Sequence, residues 1–131
     1  MDTNILLRCL IGEDDAQGAA ARQVFQSRLT TDNPGFVSTV VLVEALWVLR
    51  SRYGASRENL IDIVEQLLTD PRIAVQDEDV VWAALHDHGE HGGDLPDALV
   101  AAIAQAHHCD YTLTFDTRAA RLPGMRLLET A

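Results

Sequence analysis

Apolar residues recur at helical spacing in several segments of the first half of the chain. Residues 16–29 predict one helix. A second helix begins at a cap formed by Ser38 or Thr39 and is stopped by Gly54, and a third begins at Ser56. The third helix gathers its apolar side chains on one face, namely Leu60, Ile63, Val64, Leu67 and Leu68. Helices therefore dominate the middle of the chain.

Four short segments of strand-like composition lie between helical segments, at residues 36–38, 72–75, 111–115 and 126–128. Strands that alternate with helices are typical of an α/β fold. We therefore expect a small, mainly parallel sheet flanked by helices on both faces. No repeat, low-complexity tract or linker divides the sequence, so we expect one domain over residues 1–131.

The charge of the chain excludes several classes of function. Ten basic and twenty acidic residues give a formal net charge of −10, which excludes a generally basic surface, so any nucleic acid must be bound locally. Every basic residue is an arginine. The absence of lysine excludes a P-loop lysine, a Schiff-base lysine and a lysine general base.

The cysteines and the apolar runs indicate the cellular compartment. Cys9 and Cys109 have neither metal-ligand spacing nor the density of a disulfide scaffold, so we expect two buried, inert thiols in a reducing cytosol. No apolar run approaches the roughly 20 residues that span a bilayer, and we find no signal peptide. We expect a cytoplasmic protein without a membrane segment.

Glu44 is the acidic residue that a purely structural account explains least well. It interrupts the apolar run from Val40 to Leu49, so almost any face of that helix would bury it at least partly. Burial of an unpaired carboxylate is costly, or the group stays protonated. The alternative is that Glu44 extends outward or pairs with Arg50 or Arg52.

Four other acids lie at the ends of predicted elements. Asp97 begins an apolar helix that we expect to be central and buried, and Asp94 fits an N-cap of the same helix. Asp116 follows the third strand, at the carboxyl end where α/β proteins build their sites. Asp2 stands directly before an apolar segment and also fits a helix cap. Each has an ordinary structural explanation when it is taken alone.

Four of these acids are far apart in sequence and can meet in one site only when the chain is folded: Asp2, Glu44, Asp97 and Asp116. Carboxylates in one pocket repel each other, so they either take up protons or are neutralised by a hard divalent cation with oxygen ligands, typically Mg²⁺ or Mn²⁺. Metal binding is the simpler solution.

The order and wording of four motifs resemble one family over nearly the whole chain. The motifs are DTNILLR at 2–8, VEALWVL at 43–49, DLPDALVAA at 94–102 and TFD at 114–116. They are similar to the motifs of the PIN-domain ribonucleases and, within that family, of the toxin subunits of VapBC-type toxin–antitoxin pairs. The resemblance implies a PIN-like fold. It also implies a short apolar strand before the first Asp, of which this sequence carries only Met1, so we expect a truncated first strand.

The resemblance further implies an acidic catalytic site that holds Mg²⁺ or Mn²⁺. Its catalytic and metal-binding residues would be Asp2, Glu44, Asp97 and Asp116. Its supporting residues would be Asn4, Thr114 and, further from the metal, Asp94.

The implied reaction is metal-dependent hydrolysis of RNA, such as tRNA or rRNA, by an activated water, which leaves 5′-phosphate and 3′-hydroxyl ends. On so acidic a chain, single-stranded or looped RNA must be held by local arginines. The candidates are Arg8, Arg50, Arg52, Arg118 and Arg121.

The resemblance implies a second partner as well, a basic antitoxin segment whose arginine can occupy the acidic pocket in place of the metal. The apolar surface of the helices at 40–49 and 98–104 exceeds what one small domain readily covers. That excess fits a homodimer or a docked partner helix, and we expect both.

The sequence suggests three other interpretations. The histidine-rich segment at 86–94 fits no zinc signature and is typical of a polar helix end. An aspartate-based phosphatase is disfavoured because position 4 is Asn and no lysine can neutralise the phosphate. A catalytically silent PIN-like binding module is favoured by the truncated first strand and opposed by the four intact acids.

Overall fold

The structure is a computed structural model that describes residues 1–12 and 15–129. Over these residues it combines six α-helices with four strands of three residues each, which confirms the predicted α/β class. The chain divides into two compact units, Met1–Gln76 and Asp77–Ala131. None of the described helices is both long and apolar enough to cross a membrane.

The first unit alternates helices with two strands. Its elements are α1 (Thr3–Ile11), α2 (Ala16–Ser27), β1 (Gly35–Val37), α3 (Thr39–Tyr53), α4 (Arg57–Thr69) and β2 (Ile73–Val75). Strands β1 and β2 pair in parallel, with Gly35 opposite Ile73 and Val37 opposite Val75. Helix α1 packs against α2 and α3, and α4 packs against β2.

The ends of the helices in this unit follow from local hydrogen bonds. The Ser38 side chain accepts from the Val41 N–H at the start of α3, and the Ser56 side chain accepts from the Asn59 N–H at the start of α4. Gly54 ends α3 with φ +62°, a left-handed conformation that an L side chain rarely adopts. These boundaries agree with the predicted ones.

Arg72, directly before β2, contacts both the turn that precedes the strand and helix α2. The Arg72 guanidinium donates to both carboxylate oxygens of Asp70, at 3.1 and 2.9 Å, and its central carbon lies 4.4 Å from the centre of the Phe25 ring. The hydrogen bond from Arg72 is the main reason why the pKa of the Asp70 carboxyl lies below its usual value. The ion pair therefore holds a charged carboxylate at the turn between α4 and β2.

The second unit begins with two helices that pack against each other. Its elements are α5 (Glu78–His91), α6 (Leu95–Ala106), β3 (Thr112–Thr114), a 3₁₀ turn (Ala119–Arg121) and β4 (Met125–Leu127). Strands β3 and β4 pair in parallel, with Thr112 opposite Met125 and Thr114 opposite Leu127. The buried side chains that α5 and α6 contribute are mostly small or aliphatic: Val81, Ala84, Leu85, Leu95, Ala98, Leu99, Ala101 and Ala102.

All four predicted strands are present and all pair in parallel, as two two-stranded sheets with one in each unit. Two details differ from expectation. Helix α6 begins at Leu95 rather than at Asp97, because Pro96 fits the first turn of a helix, where no N–H partner is needed. The cysteines are not both buried: Cys9 is half-buried beside α2, and Cys109 is exposed in the turn after α6.

Candidate active site

Asp2 forms the N-cap of α1. Its Oδ1 accepts a hydrogen bond from the Thr3 N–H at 2.8 Å, and the side chain is exposed. The Met1 amino group donates to the Phe36 carbonyl at 2.7 Å, which places this helix start beside β1. Asn4 is exposed in the first turn of α1 and lines a hollow of about 380 Å³ between α1 and α2. The carboxylate of Asp2 is therefore held in a defined orientation at the start of a helix.

Glu44 is exposed on α3, so the expectation that it is at least partly buried was wrong. The core face of α3 consists of Leu42, Ala45, Leu46 and Leu49. Glu44 lies on another face, with Val40 and Trp47, which are 73% and 59% exposed. Together with Thr39 and Val43 these residues line a shallow hollow of about 440 Å³. The surrounding apolar residues do not bury Glu44 because they form a second face that the first unit leaves uncovered.

Asp94 and Asp97 lie at the same end of α6. Asp94 is the N-cap residue, although its side chain makes no capping hydrogen bond to the helix, and Asp97 stands half-buried in the first turn. Both residues are therefore close to the N-terminal end of the helix. The predicted cap position of Asp94 is confirmed, and Asp97 is a residue of the first turn rather than the first residue of the helix.

Asp116 follows β3 and organises the turn after it. Its Oδ1 accepts from the Arg118 N–H at 2.8 Å and from the Ala119 N–H at 3.4 Å. The Thr114 hydroxyl oxygen accepts from the Asp116 N–H at 3.0 Å. Thr114 therefore acts on Asp116 through the backbone, and two sets of hydrogen bonds hold this exposed carboxylate at the carboxyl end of the strand.

The structure brings some of the predicted site residues together in pairs. Asp94 and Asp97 share a helix end, and Thr114 and Asp116 share a turn. Asp2 and Glu44 belong to the first unit, whereas the other acids belong to the second. Within residues 1–12 and 15–129, no three His, Cys, Asp or Glu side chains are grouped closely enough to hold a metal ion. The convergence of the four acids stays a prediction.

Two arginines have contacts that the sequence did not indicate. Arg8, a candidate for RNA binding, donates to the Asp15 carboxylate at 2.7 Å, so its charge is partly neutralised. Arg126 was not among the candidates, yet its guanidinium carbon lies 3.8 Å from the centre of the Tyr111 ring. This contact depends on the parallel pairing of β3 with β4, and no local sequence pattern indicates that pairing.

The histidine-rich segment forms the end of α5, as predicted. His86 Nε2 lies 4.0 Å from a Glu90 carboxylate oxygen one turn away, and His88 is buried. Among the described residues, none of these side chains belongs to a group of three His, Cys, Asp or Glu that could hold a metal ion. These histidines lie in the C-terminal half of α5.

Comparison with known proteins identifies the family of the chain. A family model described as PIN domain matches residues 1–125, and the chain belongs to this family. The VapC ribonuclease of Aquifex aeolicus (strain VF5) is 25% identical over 122 residues, which cover 93% of this chain and 90% of that protein. The resemblance drawn from the four motifs is thereby confirmed.

Proposed function

We propose that this chain is a divalent-metal-dependent endoribonuclease and the toxin of a toxin–antitoxin pair. The observation that carries the proposal is the PIN-domain match over residues 1–125, with an acid present in each of the four motifs. The similarity to a protein named VapC ribonuclease supports the choice of RNA as substrate. This function rests on the site residues and not on the fold alone, because one fold hosts many activities.

The donor set of the proposed site fits a hard divalent cation. Asp2, Glu44, Asp97 and Asp116 would hold Mg²⁺ or Mn²⁺ through oxygen atoms, and no sulfur or imidazole ligand belongs to the set. When bound, such an ion neutralises charge on the phosphate and lowers the pKa of a coordinated water. Asn4 and Asp94 would support the site from further away.

Two carboxylates of the proposed site are oriented by hydrogen bonds to the backbone. In both Asp2 and Asp116, Oδ1 accepts from main-chain N–H groups, which limits the rotation of the carboxylate. Thr114 restrains the backbone of Asp116 in turn. Ligands held in this way lose little further freedom when a cation binds, so the affinity of the site benefits. The role of these residues is to place the cation and the scissile phosphate.

The proposed partners follow from charge and exposed apolar surface. Single-stranded or looped RNA, as in tRNA or rRNA, would be held by local arginines because the chain is acidic overall. A basic antitoxin would place an arginine among the carboxylates through bidentate hydrogen bonds. The exposed face of α3 that carries Val40 and Trp47 is the surface on which a homodimer would form. The proposed compartment is the cytoplasm.

The test is cleavage of total tRNA by the purified chain in Mn²⁺, with the product ends mapped and a chelator as control. We expect 5′-phosphate ends, and we expect Asp97→Asn and Asp116→Asn to lose cleavage. Asp110→Asn is the matched control, because Asp110 is an exposed carboxylate in the same unit that belongs to no motif. Retention of full cleavage by both motif variants, or cleavage that survives chelation, would contradict the proposal.

A second candidate is a PIN-like module that binds without cutting. The observation that favours it is the lack of a three-ligand metal group among the described residues. The two candidates differ in their response to metal, because an ion that binds only the native state must raise its thermal stability. Absence of both cleavage and Mn²⁺-dependent stabilisation would identify the silent module.

A further inference from the structure

A glutamine directly after β2 bridges the two strands of the first unit and the helix between them. The Gln76 N–H donates to the Val37 carbonyl at 2.9 Å, which adds a hydrogen bond at the end of the pairing of β1 with β2. The Oε1 atom of the same residue accepts from the Thr39 N–H at 2.9 Å. Gln76 therefore holds the residues on both sides of Ser38, where β1 ends and α3 begins.

The Gln76 side chain satisfies a helix N–H that the local cap does not reach. The first N–H groups of a helix have no partner within the helix itself. In α3 the Ser38 hydroxyl oxygen accepts from the Val41 N–H, whereas the N–H of Thr39, the first residue of the helix, donates to a side chain 37 residues away in sequence. This bond is partly buried, so removal of its acceptor would leave an N–H with limited access to water.

The hydrogen bond to Thr39 fixes the start of α3 relative to β2. A helix attached to β1 through Ser38 alone could pivot about that residue, whereas the bond from Gln76 gives the helix start a second point of attachment. Glu44 follows Thr39 by five residues, or about 7.5 Å along the helix axis, and the two residues line the same hollow. All of these residues belong to the first unit. A displaced helix start would therefore displace the Glu44 carboxylate.

We propose that Gln76 is a positioning residue of the metal site, which acts through the Thr39 N–H to hold α3 and its Glu44 carboxylate in place relative to the carboxyl ends of the strands. The inference rests on the proposed function, in which Glu44 is a metal ligand. An amide suits this role because it offers an oxygen acceptor without adding a negative charge to a site built from carboxylates. Precise placement matters, since a shift of about 1 Å can cost about 100-fold in rate.

Mn²⁺ binding is measured on the full chain by electron paramagnetic resonance, in which free Mn²⁺ gives the signal and bound Mn²⁺ loses it. We expect Gln76→Leu, which removes the acceptor and keeps a side chain of similar size, to raise the Kd for Mn²⁺ about 10-fold. Gln76→Asn keeps a polar amide but is one methylene too short to reach the Thr39 N–H, so it should raise the Kd as well. Gln76→Glu keeps Oε1 within reach and should bind Mn²⁺ at least as tightly as the wild type.

Two control variants separate positioning from a general loss of stability. Gly54→Ala strains the opposite end of α3, so it should destabilise the helix without moving its start and leave the Kd for Mn²⁺ unchanged. Gln66→Leu makes the same substitution at an exposed glutamine of α4 and should also leave the Kd unchanged. Hydrogen exchange of the Thr39 N–H, followed by NMR, should be faster in Gln76→Leu and Gln76→Asn than in the wild type, and Gln76→Glu should restore the slow exchange.

The outcomes distinguish this inference from the proposed function. If the wild type binds Mn²⁺ and cleaves tRNA while Gln76→Leu and Gln76→Asn keep the wild-type Kd, the positioning role is overturned and the nuclease stands. An equal rise of the Kd in Gly54→Ala, or unchanged Thr39 exchange in Gln76→Leu, also overturns the positioning role. A Kd that depends on Gln76 in a protein that cleaves nothing supports the positioning role and refutes the nuclease. A wild type that neither binds Mn²⁺ nor cleaves tRNA refutes both.

Discussion

Replacement of Asp116 by asparagine or alanine separates a turn-forming role from a catalytic one. Oδ1 of Asp116 accepts from the Arg118 N–H at 2.8 Å. It also accepts from the Ala119 N–H at 3.4 Å, which is long for a hydrogen bond. Asparagine keeps an oxygen acceptor at this position, whereas alanine removes it. One such hydrogen bond contributes about 1 kcal/mol, and the longer contact adds little.

These distances set the expected magnitudes. Asp116→Ala should lower the free energy of unfolding by about 1 kcal/mol, or the Tm by about 4 °C for a chain of 131 residues. Asp116→Asn should change the stability by less than about 0.5 kcal/mol, because the acceptor stays. Both variants should lose more than about 100-fold in Mn²⁺-dependent cleavage, a larger effect than loss of an outer supporting residue.

Stability is measured by urea unfolding and activity by cleavage of total tRNA, with Asp110→Asn carried through both assays. The informative protein is Asp116→Asn, since it separates the charge of the side chain from its hydrogen bonds. If this variant cleaves as the wild type does, Asp116 is a turn residue and not a metal ligand. If it is destabilised as much as the alanine variant, the carboxylate charge and not the acceptor geometry holds the turn.

Three further predictions concern the first unit. Leu46→Ala removes a side chain that is 1% exposed and should lower the free energy of unfolding in urea by roughly 2–5 kcal/mol. Val40→Ala, on the exposed face of the same helix, should lower it by less than about 0.5 kcal/mol. Equal losses of stability in the two variants would contradict the assigned core face. Gly54→Ala meets no atom within 4 Å of the added Cβ but keeps φ +62°, so it should cost about 1 kcal/mol of backbone strain, and a neutral result in thermal unfolding would argue against the left-handed cap. The pKa of Asp70 is lowered in the folded state chiefly by Arg72. The ionised Asp70 therefore stabilises the fold above its unfolded pKa, and this stabilisation is lost as the pH falls below about 4. Asp70→Asn should flatten the acidic part of a curve of urea midpoint against pH, and an unchanged curve would refute the linkage.

The helix boundaries could be predicted because their causes are local. Ser38 and Ser56 cap helices through hydrogen bonds that reach three residues along the chain, and Gly54 stops a helix by adopting a positive φ. Such interactions need no partner from elsewhere in the fold. The start of α6 is also local in origin, because Pro96 fits the first turn of a helix.

The exposure of Glu44 could not be predicted in this way. Helix α3 is apolar on more than one face, so its pattern does not show which face meets the core. The structure turns Leu42 and Leu46 inward and leaves Val40 and Trp47 outside with Glu44. Burial depends on which elements pack against the helix, and this information is not present in a helical periodicity.

By itself, the sequence determined where the strands and most helices lie and which family the chain belongs to, and it predicted an all-oxygen donor set. These features follow from local hydrogen bonding, side-chain chemistry and spacing. Only the tertiary structure decided that Glu44 is exposed, that Asp116 is fixed by the turn it caps, and that Arg126 lies on Tyr111. The physical reason is that burial and strand register arise from contacts between segments distant in sequence, and these contacts exist only when the chain is folded.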